Sequence, residues 1–189
     1  MAGFTINLDE IQVLTHDTLT NKAFSQRVLR FLEGQETTLD YAISEWKSST
    51  VGAGIGSKQL DSLQIYILRS IQKVKLHIRI LAREKGWEDK LRTMVDRHKG
   101  LTRMLSLEER DEHILQEYHL EVNEAKKILG ALETNYARMK SGLTPATRKN
   151  FEELYGKVRH LVDVLLLLLT KTVEFLNREH VEIRRLGFV

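Results

Sequence analysis

The sequence predicts an all-α protein, an antiparallel bundle of four main helical segments with long, coiled-coil-like helices. Hydrophobic residues make up 42% of its 189 residues and charged residues 29%, a balance that suits long helices with much surface for their core. Pro145 is the only proline, whereas a β-rich chain of this length would need more turn residues. Over long stretches, apolar side chains recur at alternating spacings of three and four residues, as in helices that pack along one another.

The first segment, residues 1–47, is the least regular of the four. Its apolar side chains form three groups, which begin near Leu8, Phe24 and Leu39. The polar stretch 15–21 and Gly34 are expected to break or bend the chain between these groups. We therefore expect two or three shorter helices here.

A glycine-rich stretch follows at residues 48–57. Gly52, Gly54 and Gly56 place three glycines within five residues, and glycine loses more backbone freedom than any other residue when it enters a helix. The stretch is therefore predicted to be a flexible loop in which these glycines form a hinge, with Ser57 as the N-cap of the next helix. A phosphate-binding loop is not predicted, because the order is Gly-Ser-Lys and no strand precedes it.

Three long helices are predicted over residues 58–100, 106–141 and 144–185, which completes a single domain spanning 1–189. In the first, a second apolar stripe beside the main seam indicates contact with more than one neighbour, and Gly86 interrupts the pattern. The second begins with a capping box at Ser106 and ends at Gly142. The third begins at Thr144 and Pro145, an N-cap followed by proline in the first helical position.

The residue inventory argues against catalysis. The chain has no cysteine, which removes disulfides, thiolate metal sites and a cysteine nucleophile. None of the seven histidines has a glutamate three positions before it, as a di-metal carboxylate bundle would need. We therefore predict no enzyme activity, no catalytic residue, no metal and no cofactor, and we expect no small-molecule substrate.

The middle of the chain is basic. Residues 69–103 carry eleven basic and four acidic side chains, a net charge of +7, and the segments on either side are acidic or neutral. One interpretation is contact with nucleic-acid phosphates or anionic lipid, although no aromatic residues interleave with the cations to stack bases. The other is a solvated face, or one that matches the acidic third helix. The candidate contact residues are Arg69, Lys73, Arg79, Arg83, Lys90 and Arg92.

A leucine-rich run and the two apolar ends supply candidate partner contacts. The run 161–169 is interrupted by Asp163 and falls short of the roughly 18–20 residues that span a bilayer. Leucines around most of the helix, Leu166 and Leu167 included, indicate either a helix central to the bundle or a contact with a partner or a membrane. The other candidate partner contacts are Phe4, Phe188 and Val189.

The leading functional hypothesis is a non-catalytic helical-bundle scaffold or subunit of a larger assembly, which acts through helix–helix contacts with a protein partner or a second copy. One alternative is a membrane-active or membrane-surface-binding bundle. The other is a nucleic-acid-binding small subunit of a ribonucleoprotein-type complex. The N-terminus lacks the basic and apolar regions of a signal peptide, so a cytoplasmic protein is expected.

Overall fold

The computed structural model describes residues 6–90 and 119–178, and within these ranges the chain is helical with no strand. Residues 87–90 are also helical and adjoin the first gap. A short 3-10 helix, Lys140–Gly142, joins the last two α-helices. The α-helices are α1 (Leu8–Gln12), α2 (His16–Thr20), α3 (Lys22–Lys47), α4 (Thr50–Ala53), α5 (Ser57–Leu81), α6 (Leu120–Met139) and α7 (Pro145–Arg178).

Four long helices, α3, α5, α6 and α7, pack against each other, which confirms the predicted all-α bundle. Helices α5 and α7 run along each other, and α3 and α6 contact both of them from either side. Cross-helix contacts show that α3 and α5 are antiparallel, because Lys47 pairs with Asp61 at one end and Lys75 lies 3.8 Å from Glu33 towards the other. The end at which α3 and α6 finish and α5 and α7 start is called the loop end below.

Helix α7 is enclosed by the rest of the bundle over its second half. From His160 to Leu176 each of its residues is buried or half-buried. The short helix α1 adds to this enclosure, since it packs on α7 and Nε2 of His160 lies 3.0 Å from the carbonyl oxygen of Ile6. Arg27 of α3 holds α1 in place through two hydrogen bonds to Glu10, of 2.8 and 2.9 Å.

The helix predicted over 58–100 is divided in the structure, because α5 ends at Leu81. Arg83 takes a left-handed conformation with φ of 53°. The N–H of Arg83 donates to the carbonyl of Ile80, and that of Glu84 donates to the carbonyl of Arg79. These two bonds and the left-handed residue form a Schellman motif, which closes the helix.

The predicted loop at 48–57 is also corrected, because it contains the helix α4. The hydroxyl of Ser49 accepts a hydrogen bond from the N–H of Gly52 and so caps α4. The N-cap of α5 is Gly56, with φ of 90°, whereas the predicted cap Ser57 is the first residue of the helix.

The structure confirms one further predicted helix start and corrects the interruption predicted inside the first segment. The cap at Thr144 is confirmed, since its hydroxyl accepts from the N–H of Thr147 and α7 begins at Pro145. Helix α3 runs through Gly34 without a break, so of the break or bend expected there the break is wrong. The polar stretch 15–21 contains α2 and the N-cap of α3, Asn21. The predicted capping box at Ser106 lies outside the described residues.

Candidate functional site

An apolar strip lies on the outward side of α5. Ile65 is 46% exposed, and Leu68 and Leu76 are half-buried. At 100° per residue these three positions fall within about 80° of one another, on the side of the helix opposite its buried seam. The seam itself is fully buried and consists of Leu60, Leu63, Ile67, Ile71, Val74, Ile78 and Leu81.

Two arginines border this strip. Arg69 is exposed and Arg79 is half-buried, and the Nε atom of Arg79 lies 3.7 Å from a carboxylate oxygen of Glu84. Long cationic side chains at such positions cover apolar surface with their stems and keep the charge in water. We name the set Ile65, Leu68, Arg69, Leu76 and Arg79 the α5 outer face.

The predicted basic candidates do not form one open stripe. The Nζ atom of Lys73 lies 3.5 Å from a carboxylate oxygen of Glu121 in α6, which turns it away from the α5 outer face. Lys90 lies 3.8 Å from Glu84, the carboxylate that also faces Arg79. The guanidinium of Arg83 sits 4.8 Å from the centre of the Trp87 ring, a cation–π distance. Arg92 lies outside the described residues.

Two of the five predicted partner contacts lie in the described part of the chain, and three lie outside it. Leu166 and Leu167 are half-buried and pack against the core. Phe4, Phe188 and Val189 lie outside the described residues. Asp163, which interrupts the leucine run, is 3.7 Å from Arg159 and 3.9 Å from Lys126 of α6, so its charge faces two cations.

Polar groups also occur deep inside the bundle. His77 and Thr172 are fully buried and join α5 to α7. Nearer the surface, Nε2 of His119 lies 3.3 Å from the hydroxyl of Thr170. Burial lowers the pKa of His119 below its usual value of 6.5, and the charge of Lys73 lowers it further. Among the described side chains, no group of three or more could hold a metal ion.

A cavity of about 340 Å³ opens at the loop end, between the end of α3, α4 and the first two turns of α7. Three buried side chains form its apolar part, namely Trp46, Val51 and Phe151. Phe151 belongs to an aromatic cluster, because its ring centre is 6.1 Å from that of Trp46 and 4.3 Å from that of Tyr136. The polar residues around the cavity are Glu45, Ser48, Ser49, Thr147 and Asn150.

Trp46 carries the unusual group of this cavity. The side chain is only 2% exposed, and its indole Nε1–H finds no hydrogen-bond acceptor among the described residues. A buried donor left without an acceptor costs on the order of 1–3 kcal/mol, and few such groups persist in native proteins. No sequence pattern predicts this cavity, because Trp46 has the spacing of an ordinary core residue in an apolar group.

Comparison with known proteins adds no assignment: no protein-family model, no curated protein and no solved structure matches this chain. Within residues 6–90 and 119–178, none of the helices is both long and apolar enough to cross a bilayer.

Proposed function

We propose that this protein is a non-catalytic helical-bundle scaffold or assembly subunit, which receives an amphipathic helix of a protein partner on its α5 outer face. The observation that carries the proposal is the exposure of Ile65 in line with the half-buried Leu68 and Leu76. Apolar anchors at helical spacing on an exposed helix are the pattern by which helices dock onto one another. Burying them against a partner removes apolar surface from water at about 25 cal/mol per Å².

The charges beside the apolar strip indicate the charge that the partner helix should carry. Arg69 and Arg79 flank the apolar residues, so the favoured partner helix carries acidic residues beside its own apolar seam. The other large exposed hydrophobic residues lie on different elements and stand singly, which is common on protein surfaces. In the described part of the chain these are Val13, Tyr41 and Leu120.

The two alternative functions have less support. A nucleic-acid or anionic-lipid surface needs cations that share one face, whereas Lys73 and Lys90 approach carboxylates in different directions. A membrane-active bundle would expose the leucine-rich part of α7, and Leu165, Leu168 and Leu169 are fully buried instead. Both alternatives remain testable by salt-dependent binding to nucleic acid and by flotation with anionic vesicles.

Site-specific photo-crosslinking tests the proposed face. A benzophenone side chain at position 65 is expected to form an adduct with one defined partner, or with a second copy, when the full-length protein is irradiated in its native extract. The matched control carries the same group at Tyr41, which is exposed on the outer side of α3. Equal adducts from both positions, or none from position 65, would contradict the proposal.

Introducing a charge into the apolar strip gives an independent test with the partner so identified. Ile65→Glu is expected to weaken binding at least tenfold, because it puts a carboxylate into the apolar strip, and Tyr41→Glu is expected to leave binding unchanged. Light scattering of the purified protein decides whether the partner is a second copy. If Ile65→Glu binds as tightly as the natural chain, the α5 outer face is not the docking site.

A further inference from the structure

We infer that the loop-end cavity binds a small, uncharged aromatic compound that carries a carbonyl group. The cavity volume of about 340 Å³ lies within the range of roughly 300–1,000 Å³ that is usual for small-ligand sites. It lies at the end of the bundle, away from the middle of α5, so this inference is independent of the proposed docking face.

The walls of the cavity select a flat apolar ring. Trp46 and Phe151 are 2% and 5% exposed, and their rings meet at a 44° angle. Val51 of α4 closes the third side. Aromatic walls favour an aromatic guest, because offset and edge contacts between rings add to the effect of apolar burial.

The wall is held rigidly by the neighbouring backbone. A Cβ atom on Gly52 would lie 1.8 Å from the carbonyl oxygen of Trp46, so α4 packs directly on the last turn of α3. The hydroxyl of Ser49 donates to the same carbonyl at 3.0 Å and accepts from the N–H of Gly52 at 3.1 Å. The cavity is therefore largely formed before any ligand arrives.

The buried donor selects a carbonyl group. The indole N–H of Trp46 has no acceptor among the described residues, and a ligand carbonyl would supply one. The N–H is closed to water, so the ligand reaches it when the indole turns slightly towards the cavity that Trp46 lines. The start of α7 at Ala146 and Thr147 also favours the negative end of a carbonyl dipole.

The charge at the rim excludes a carboxylate ligand. Glu45 is the one charged side chain among the described lining residues. A ligand carboxylate would meet a like charge there, whereas a ketone or an amide would not. The ligand class is therefore an aryl ketone or aryl amide rather than an aromatic acid.

Nuclear magnetic resonance of the full chain tests the inference with acetophenone as the probe. The protein has two tryptophans, Trp46 and Trp87, so Trp87→Phe assigns both indole N–H signals. Acetophenone at millimolar concentrations is expected to move the Trp46 indole proton downfield, saturably, and to leave that of Trp87 in place. Ethylbenzene has the same shape without the oxygen and is expected to cause no downfield shift.

Two variants distinguish a loss of binding from a loss of folding. Ala146→Leu fills the cavity from an exposed rim position and is expected to abolish the shift, whereas Ala137→Leu on the exposed side of α6 is expected to preserve it. Benzoate is expected to bind more weakly than acetophenone, and Glu45→Gln is expected to narrow that difference. An unmoved Trp46 signal, the same downfield shift with ethylbenzene, or unchanged binding by Ala146→Leu would overturn the inference.

Discussion

The Nδ1 atom of His77 and the hydroxyl oxygen of Thr172 lie 2.8 Å apart in the fully buried contact between α5 and α7. The same hydroxyl donates to the carbonyl of Leu169 at 3.3 Å, so it accepts from the histidine. The ring proton of His77 is therefore on Nδ1. This bond joins the two central helices through fully buried polar groups.

Thr172→Val tests the contribution of this bond, because it keeps the shape of the side chain and removes the acceptor. The buried N–H of His77 then loses that partner, and the free energy of unfolding is expected to fall by about 1–3 kcal/mol. Denaturant titration measures the change. The control is Thr134→Val, whose exposed hydroxyl donates only to the Gly130 carbonyl and whose effect should stay within about 0.5 kcal/mol. Equal effects would mean that the buried bond contributes nothing.

Gly52→Ala is expected to be strongly destabilising for a purely steric reason. The new Cβ atom would lie 1.8 Å from the carbonyl oxygen of Trp46, so α4 must move away from α3. We expect a loss of about 2 kcal/mol or more in thermal or denaturant unfolding. Gly130→Ala is the matched control, because nothing lies within 4 Å of its Cβ and alanine favours the interior of α6 by about 0.5–1 kcal/mol. If Gly52→Ala and Gly130→Ala changed the free energy of unfolding in the same direction, the steric explanation would be wrong.

The long helices could be predicted because helices that pack side by side need apolar residues at a regular spacing of three and four. Each of the seven residues of the α5 seam, from Leu60 to Leu81, is buried, as the spacing of three and four requires. The start of α7 at Pro145 was equally predictable, since Thr144 and Pro145 are local signals that need no tertiary contact.

The errors arise where tertiary contacts override local preference. Helix α4 forms across a glycine-rich stretch because only glycine at position 52 can pack against the Trp46 carbonyl. The cavity unites Trp46, Val51 and Phe151, and no sequence spacing connects the last of these to the others. The sequence indicated an interruption only at Gly86, beyond the end of α5 at Leu81, because the left-handed residue that closes α5 is Arg83, where glycine is the usual signal.

Arg83→Gly should therefore stabilise the protein relative to Arg83→Ala. Both substitutions remove the guanidinium from the Trp87 ring, so their difference isolates the backbone. Glycine adopts the left-handed conformation without the steric cost of about 1 kcal/mol that a Cβ atom incurs, and the glycine variant should be more stable by about that amount. Denaturant midpoints of the two variants measure the difference. An alanine variant as stable as the glycine variant would show that the Schellman turn is not kept in solution.

The ionisation of Glu10 makes the packing of α1 on the bundle depend on pH. The backbone N–H of Asn7 and the guanidinium of Arg27 hold the pKa of this carboxyl below its usual value of 4.5. A lowered pKa means that the stabilisation is complete above the unfolded-state value and is lost as pH falls through the folded-state value. The difference in unfolding free energy between the natural chain and Glu10→Gln should thus begin to shrink below about pH 4.5 and disappear below the lowered pKa of Glu10.

A series of denaturant titrations from neutral to acidic pH measures this difference. Arg27→Met should retain the larger part of the pH dependence, because the Asn7 amide is the stronger cause of the shift. A gap between the natural chain and Glu10→Gln that persists unchanged at low pH would count against the ionic origin of the contact.

His119 should respond to Lys73 across the α5–α6 contact. Burial is the larger cause of its lowered pKa and the charge of Lys73 the smaller, so Lys73→Met should raise the pKa without restoring it to 6.5. The chemical shift of the imidazole Cε1 proton, followed against pH, measures the His119 pKa in each protein. The control Lys127→Met replaces an exposed lysine paired with Glu124 and should leave that pKa unchanged.

The substitution Lys73→Met should also change how stability depends on pH. Because the neutral imidazole of His119 is favoured in the folded state, its stabilisation is complete above pH 6.5 and is lost as the pH drops through the lowered pKa. Acid destabilisation should therefore begin near pH 6.5 in both proteins, but it should end at higher pH and reach a smaller total in Lys73→Met than in the natural chain. An unmoved or lowered pKa would show that Lys73 does not act on His119 through its charge.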